Sequence, residues 1–311
     1  MLNQKMNCAH LEKVCVALEK YESYRKFKAY CIKVLALGND SLEKTFAVAV
    51  ALCLVCAVLV SFGAVALKPL QIQNKAQDMK KNILDVAGLL LPGEDIDKAF
   101  SDNIEEKLVN LESGDYVSDM NVEEYDQRKA AKNPAQNVAI PRDKDIAHIR
   151  LKAKVAKVYL VKNGDAIKSI ILPVNGYGLW STLYGFLSLD ADGQTVQSIN
   201  FYDQQETPGL GGEVVNPNWR ASWKGKKVYA ESEQHSFDKG AVEDAEVGEP
   251  ALHLVKGSVD TSKPEALYEV DGLAGATLTS NGVTNLVRYW MSKEGFALYL
   301  KKVRTVKGVK S

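Results

Sequence analysis

The chain has 311 residues, 46% of them hydrophobic, and its 39 Lys and Arg are balanced by 39 Asp and Glu. That length allows one membrane anchor plus a domain with its own core, and the lack of a basic excess argues against a nucleic-acid partner. Residues 1–67 hold eight Lys or Arg against five Asp or Glu, so the remainder is mildly acidic and no polyanionic ligand is expected for it.

Residues 1–44 precede the first apolar run. Within them, Val14, Val16, Leu18, Tyr21 and Tyr24 alternate with Glu12, Lys13, Glu19, Lys20, Arg25 and Lys26. This pattern suits an amphipathic helix lying on lipid or on a partner. Residues 45–67 carry no charge and reach about 34 Å as a helix, one bilayer crossing. A cleavable signal has an apolar core of only about 7–15 residues, so the run reads as a retained anchor. All eight N-terminal cations precede it, which places the N-terminus in the cytoplasm and the large domain across the membrane.

The five cysteines, Cys8, Cys15, Cys31, Cys53 and Cys56, all lie at or before the span, leaving the exported part without a thiol to oxidise. Cys53 and Cys56 have redox-motif spacing, but they sit inside the apolar run without further ligands and read as two small buried hydrophobes. His10, His148, His235 and His253 are scattered and show no metal-ligand spacing.

Beyond the span, residues 68–150 read as a helical connecting region. A helix is predicted over Leu70–Leu91, closed by Pro92-Gly93, a second over Asp95–Leu111, and a polar connection from Glu112 to Pro141. Residues 151–311 then switch to strand periodicity at Ala153–Val161, Ala166–Leu172, Trp180–Leu189 and Gln194–Tyr202. Turns are expected at Asn163-Gly164, Asn175-Gly176 and Asp192-Gly193, giving an antiparallel meander. Val228–Ala230 and Leu252–Lys256 are weaker strand candidates on either side of an acidic stretch, Glu231–Glu249. A closing helix from about Thr279 to Lys302 places Val283, Leu286, Tyr289, Trp290, Phe296 and Leu298 toward the sheet. The expected fold is α+β: one transmembrane helix followed by an exported domain with an antiparallel sheet packed by helices.

Three segments carry the chemistry. In Asp271-Gly-Leu-Ala-Gly275-Ala276-Thr277-Leu278-Thr279, small residues clear space around Thr277 at a helix start, where first-turn N–H groups and the helix dipole favour a phosphate. A phosphoester through the Thr277 hydroxyl would fix a phosphorylated cofactor there; an ordinary loop and N-cap is the competing reading. Glu206-Thr207-Pro208-Gly209-Leu210-Gly211 follows the last meander strand and forms a tight bend. Asn175-Gly-Tyr177-Gly-Leu-Trp180-Ser181 puts two aromatics in a glycine-rich turn, where they are either core side chains or a pocket wall. No Gly-x-Gly-x-x-Gly follows a strand, so no nicotinamide site is expected.

Taken together, these three segments resemble the family of covalent-FMN-binding subunits in the sodium-translocating NADH:quinone reductase and the related Rnf complex. The resemblance runs from about Gly38 to the end and implies FMN esterified to Thr277, with Gly275, Ala276, Leu278 and Thr279 around the attachment. It implies that Tyr177, Trp180, Glu206, Thr207 and Leu210 pack on the flavin, and that Asp271, Gly275 and Ala276 are read by the flavin transferase. Other subunits of a bacterial inner-membrane complex would then be partners, and the NADH and quinone sites would lie on them, with the large domain periplasmic. Gly-Tyr-Gly-Leu-Trp-Ser favours the quinone reductase over the Rnf complex. Ala274 departs from the family's Ser or Thr before Gly-Ala-Thr, which keeps open a flavin-free structural anchor.

Overall fold

The computed structural model describes residues 21–23, 25–164, 166–230 and 248–308. Most of the expected N-terminal amphipathic helix, with Cys8, Cys15 and His10, lies outside them, as do His235 and most of the acidic stretch from Glu231. The chain divides into two compact units, Met1–Gln73 and Asn74–Ser311.

In the first unit, residues 25–35 are helical. Lys44 Nζ donates to the Leu35 and Leu37 carbonyls at 3.2 and 2.9 Å, a favourable place for a cation because helix-end carbonyls lack internal partners. Helix α1, Leu42–Ala87, begins here and contains a window of mean hydropathy 2.8 with none of it buried. It is long and apolar enough to cross a membrane. Cys53 and Cys56 lie on the helix surface beside Leu52 and Leu54, within the uncharged run.

The separate helix expected from Leu70 is the continuation of α1, which passes through Pro69 without ending. It stops at Ala87 because Gly88 adopts φ +68°. There Leu89 N–H donates to the Leu84 carbonyl (2.9 Å) and Gly88 N–H to that of Asp85 (3.0 Å), the paired bonds that close a helix through a left-handed glycine.

Helix α2, Ile96–Asn103, starts on Asp95, whose carboxylate accepts from the N–H groups of Asp97 and Lys98. It ends eight residues before the predicted Leu111, because Ile104–Asn110 is strand β1, paired antiparallel over seven residues with Val155–Val161. The expected polar connection contains β2 (Tyr116–Val117), a short helix α3 (Gln127–Ala130) and β3 (Asn137–Ala139), which pairs with β4 (Leu151–Ala153).

Strands β5 (Val155–Asn163), β6 (Ala166–Tyr177), β7 (Thr182–Asp190) and β8 (Val196–Asp203) form the expected antiparallel meander within a six-stranded sheet ordered β2-β1-β5-β6-β7-β8. Gly164 and Gly193 supply φ +64° at two of the turns. Asn175-Gly176 is not a turn. Gly176 is a strand residue paired with Leu183, and a Cβ on it would lie 2.9 Å from Leu286 Cβ, so glycine there lets a helix press against β6.

Alternation along the strands buries both sheet faces. Ile170, Leu172, Val174, Leu183, Leu187 and Leu189 join the larger core beneath the C-terminal helices, while Tyr159, Val161, Ile171 and Phe186 join Ile83, Leu84 and Phe100 of α1 and α2 on the other. Polar contacts reinforce the second face. Arg220, in helix α4 (Pro217–Ala221), reaches Asp85 at 2.6 Å, and Asn200 of β8 donates to Asn82 and Asp85.

Tyr229 forms an isolated bridge to Pro250, whereas β9 (His253–Leu254) pairs in parallel with an unanticipated β10 (Glu269–Val270). The closing helix is two helices, α5 (Thr277–Met291) and α6 (Ala297–Gly308). The break falls where Phe296 N–H donates to the Trp290 carbonyl at 2.7 Å; a side chain on Gly295 would collide with that same carbonyl.

Candidate functional site

Glu206 organises the site. It follows β8, and although its side chain is charged it is only 5% exposed. Its Oε1 accepts from the backbone N–H groups of Leu179 (3.1 Å), Trp180 (3.0 Å) and Ser181 (3.3 Å) in the β6–β7 turn. Its Oε2 accepts from the Thr279 hydroxyl in the first turn of α5 at 2.7 Å. Charge-assisted bonds of this kind compensate the cost of burying a carboxylate. Two glycines make the room: a Cβ on Gly178 would stand 2.6 Å from Glu206 Oε1, and one on Gly211 would stand 2.5 Å from the Thr279 hydroxyl. One side chain thereby joins all three segments singled out in the sequence, across 26 residues to Trp180 and 73 to Thr279.

The loop after Glu206 is held by the Thr207 carbonyl, which accepts from Leu210 N–H (3.1 Å) and Gly212 N–H (2.9 Å). Thr207 is exposed. Gly275, at φ +69°, lies so close that a Cβ on it would be 3.0 Å from Leu210 Cδ2. Around this junction the surface is apolar: Trp180 is 66% exposed, Leu278 60%, and Tyr177 and Leu210 43% each. Single exposed apolar residues are ordinary, whereas several large ones around one junction mark a candidate binding surface. Tyr202 instead stacks on Phe186 in the core on the other face of the sheet, where burial pushes its phenol up to about 12.

Three hydroxyls lie near the start of α5, and the structure separates them. Thr279 is fully buried and donates to Glu206. Ser280 is buried, accepts from Leu273 N–H at 3.0 Å and donates to the Ala276 carbonyl at 3.1 Å. Thr277 is the first helical residue and is exposed. Its N-cap is Ala276, which is buried and makes no side-chain cap, so no side chain at the cap position competes for the first-turn N–H groups that would attract a phosphate.

Comparison with known proteins gives the family. The chain is 45% identical to the NqrC subunit of the Na(+)-translocating NADH-quinone reductase of Vibrio vulnificus over 267 residues, 86% of this chain and 97% of that one. It is equally 45% identical to the corresponding subunit of Pseudomonas aeruginosa over 270 residues, 86% of this chain and 98% of that one. The chain belongs to this NqrC family. Its fold is also that of a solved member, the crystal structure of Shewanella oneidensis NqrC, with a TM-score of 0.64 at 31% identity over 75% of this chain and 99% of that one.

The FMN-binding domain family matches residues 178–292. In this member of the NqrC family that stretch begins at Gly178, inside the turn held by Glu206, and ends just past α5, so it takes in the other two linked segments whole while Tyr177 lies just before it. Asp271 sits behind them. Its Oδ1 accepts from Val259 N–H at 2.7 Å and its carbonyl from Trp219 Nε1 at 2.8 Å, which anchors the loop leading to Thr277.

Sequence reasoning missed the hydrogen bonds of Glu206, the packing role of Gly282 against the Tyr177 carbonyl and the loop-closing role of Ser280. Contacts between residues far apart in sequence leave no local periodicity, although the glycines at 178, 211 and 282 were a signal of close approach. Among the described residues no cluster of His, Cys, Asp or Glu could hold a metal ion.

Proposed function

We propose that the chain carries FMN as a phosphoester on Thr277 Oγ1 and passes electrons within a membrane complex that oxidises NADH, reduces quinone and exports sodium. One observation carries the attachment: of the three hydroxyls at the start of α5, Thr277 is exposed while Thr279 and Ser280 are buried and engaged. When bound, the flavin supplies the capacity to take up and release electrons one or two at a time, at potentials set by its surroundings.

The chain's own residues would bind and orient it. First-turn N–H groups of α5 hold the phosphoryl oxygens, Gly275 and Ala276 leave room beside the ester, and Asp271, Gly275 and Ala276 form the stretch offered to a flavin transferase. Trp180, Tyr177, Leu210 and Leu278 give the ring an apolar surface that excludes water, and the exposed Thr207 borders it. NADH and quinone would bind on other subunits, whose presence follows from membership of the family. Intact mass of the chain co-expressed with a flavin transferase tests the reading: an increment of one FMN is expected, and its absence under conditions that load a known member would refute it.

The apolar surface makes a separate prediction. Trp180→Ala should retain the ester yet change the flavin's absorbance, fluorescence and reduction potentials, because losing a large aromatic face admits water. Leu210→Ala should act in the same direction more weakly, since at 43% exposure it forfeits only part of the roughly 2–5 kcal/mol of a buried leucine. Unchanged spectra and redox titrations in both variants would place the ring elsewhere.

The charge distribution before residue 45 supports a cytoplasmic N-terminus and a periplasmic large domain in the bacterial inner membrane. Protease added outside spheroplasts is expected to digest the part after Lys68 and spare residues before Thr45. Protection of the large domain would mean the opposite orientation.

A further inference from the structure

We infer that Glu206 is a positioning residue that clamps the flavin-facing turn to the start of α5, and is not itself a contact of the flavin. The inference rests on the reading that Thr277 carries FMN, because it assigns to one buried carboxylate the task of fixing the ester-bearing helix relative to the aromatic turn. Three features carry it. The carboxylate is 5% exposed, so it presents almost nothing to a ligand on the surface. Its oxygens are already used by three consecutive backbone N–H groups, Leu179, Trp180 and Ser181, and by the Thr279 hydroxyl. Gly178 and Gly211 close over it so tightly that a Cβ on either would overlap its oxygens or the Thr279 hydroxyl.

These contacts are mutually dependent. The carboxylate is shut off from water, so removing either the turn or Thr279 leaves a buried charge undersatisfied. The turn has its N–H groups converging on one acceptor, and without it they must find water. A second bond, from Gln205 N–H to Ser181 Oγ at 2.8 Å, ties the same turn to the same loop but does not reach α5. Glu206 therefore connects Trp180, the largest exposed apolar side chain of the rim, to the helix whose first residue is Thr277. Because the clamp is built from protein groups alone, it exists before the flavin arrives and presents a preformed surface to the transferase.

The test uses the full-length chain in detergent, purified without flavin transferase, and reads backbone hydrogen exchange by mass spectrometry. In Glu206→Ala, amides 179–181 are expected to exchange at least about tenfold faster, as loss of a charge-assisted bond opens the turn, while peptide 166–174 of β6 stays protected. Thr279→Val, which keeps shape but removes one donor, should accelerate the same amides by about threefold. Glu206→Gln keeps an acceptor for the turn and an N–H₂ group that can donate to Thr279, so it should stay near the wild-type rate. After loading, Glu206→Ala should also broaden the flavin's visible circular dichroism relative to Glu206→Gln.

Unchanged exchange at 179–181 in both Glu206→Ala and Thr279→Val would overturn the clamp. A shifted flavin spectrum in Glu206→Ala with unchanged exchange would also overturn it, by making Glu206 a direct contact. Should Glu206→Ala lose protection in β6 as well, Thr279→Val decides: local opening supports the clamp and no opening overturns it. Thr277→Ala serves as the control, with exchange at 179–181 expected to match wild type. If flavin is found on another residue while the exchange pattern holds, the attachment reading fails and the clamp stands.

Discussion

Thr277→Ala is expected to abolish covalently held flavin completely while the chain remains folded and inserted. The substitution removes one exposed oxygen and one methyl group from the first residue of α5. Alanine has the higher helix propensity, by up to about 0.7 kcal/mol, so the helix itself loses nothing. Neither neighbouring hydroxyl can take over, since Thr279 is fully buried on Glu206 and Ser280 spans Leu273 and Ala276. Ultraviolet examination of a denaturing gel, followed by intact mass, reads the result directly. A fluorescent band in the variant, or flavin mapped to residue 279 or 280 in the wild type, would contradict the assignment.

The largest cost to folding is expected from Gly282→Val. Gly282 is where α5 crosses the end of β6, and an added Cβ would stand 2.5 Å from the Tyr177 carbonyl oxygen and 3.0 Å from Gly178 Cα. Both obstacles are backbone, and the turn cannot give way freely because Tyr177 N–H is bonded to the Ala147 carbonyl and Gly178 N–H to that of Ser181. Replacing a mid-helix glycine by alanine would normally gain about 1 kcal/mol. Here overpacking of about 1–3 kcal/mol opposes that gain, and valine adds two more methyl groups at the same point. A loss of about 3 kcal/mol or more is therefore expected, at about 2–4 °C of Tm per kcal/mol for a domain of this size. The displaced helix start should also lower flavin loading. A thermal melt and loading yield equal to wild type would show that α5 does not press on the turn.

How far the sequence reveals this molecule depends on how local each feature is. The uncharged run and the meander are written in consecutive residues, with Gly164 and Gly193 marking real turns. Strand β1 is harder to read, because Glu105, Glu106 and Lys107 favour a helix and only seven residues of pairing with β5 make it a strand. Asn175-Gly176 spells a hairpin turn, yet its glycine answers to Leu286 on a helix more than a hundred residues away. The same holds at the site. Thr277 and the exposed aromatics stand out as motifs, while the acceptor role of Glu206 exists only once the β6–β7 turn and α5 have come together.

Ala276 at the head of α5 brings a cost that falls on the chain before maturation. A serine, threonine or aspartate at that position would ordinarily stabilise a helix by about 1 kcal/mol, and this chain forgoes it. The first-turn donors of α5 are therefore left without a side-chain cap beside the hydroxyl proposed to carry the ester. A phosphoryl group on Thr277 would complete what the sequence leaves undone, so loading would strengthen the fold at the site of attachment. Maturation would then double as the final step of folding, and a chain that missed its flavin would carry that deficit as a local weak point.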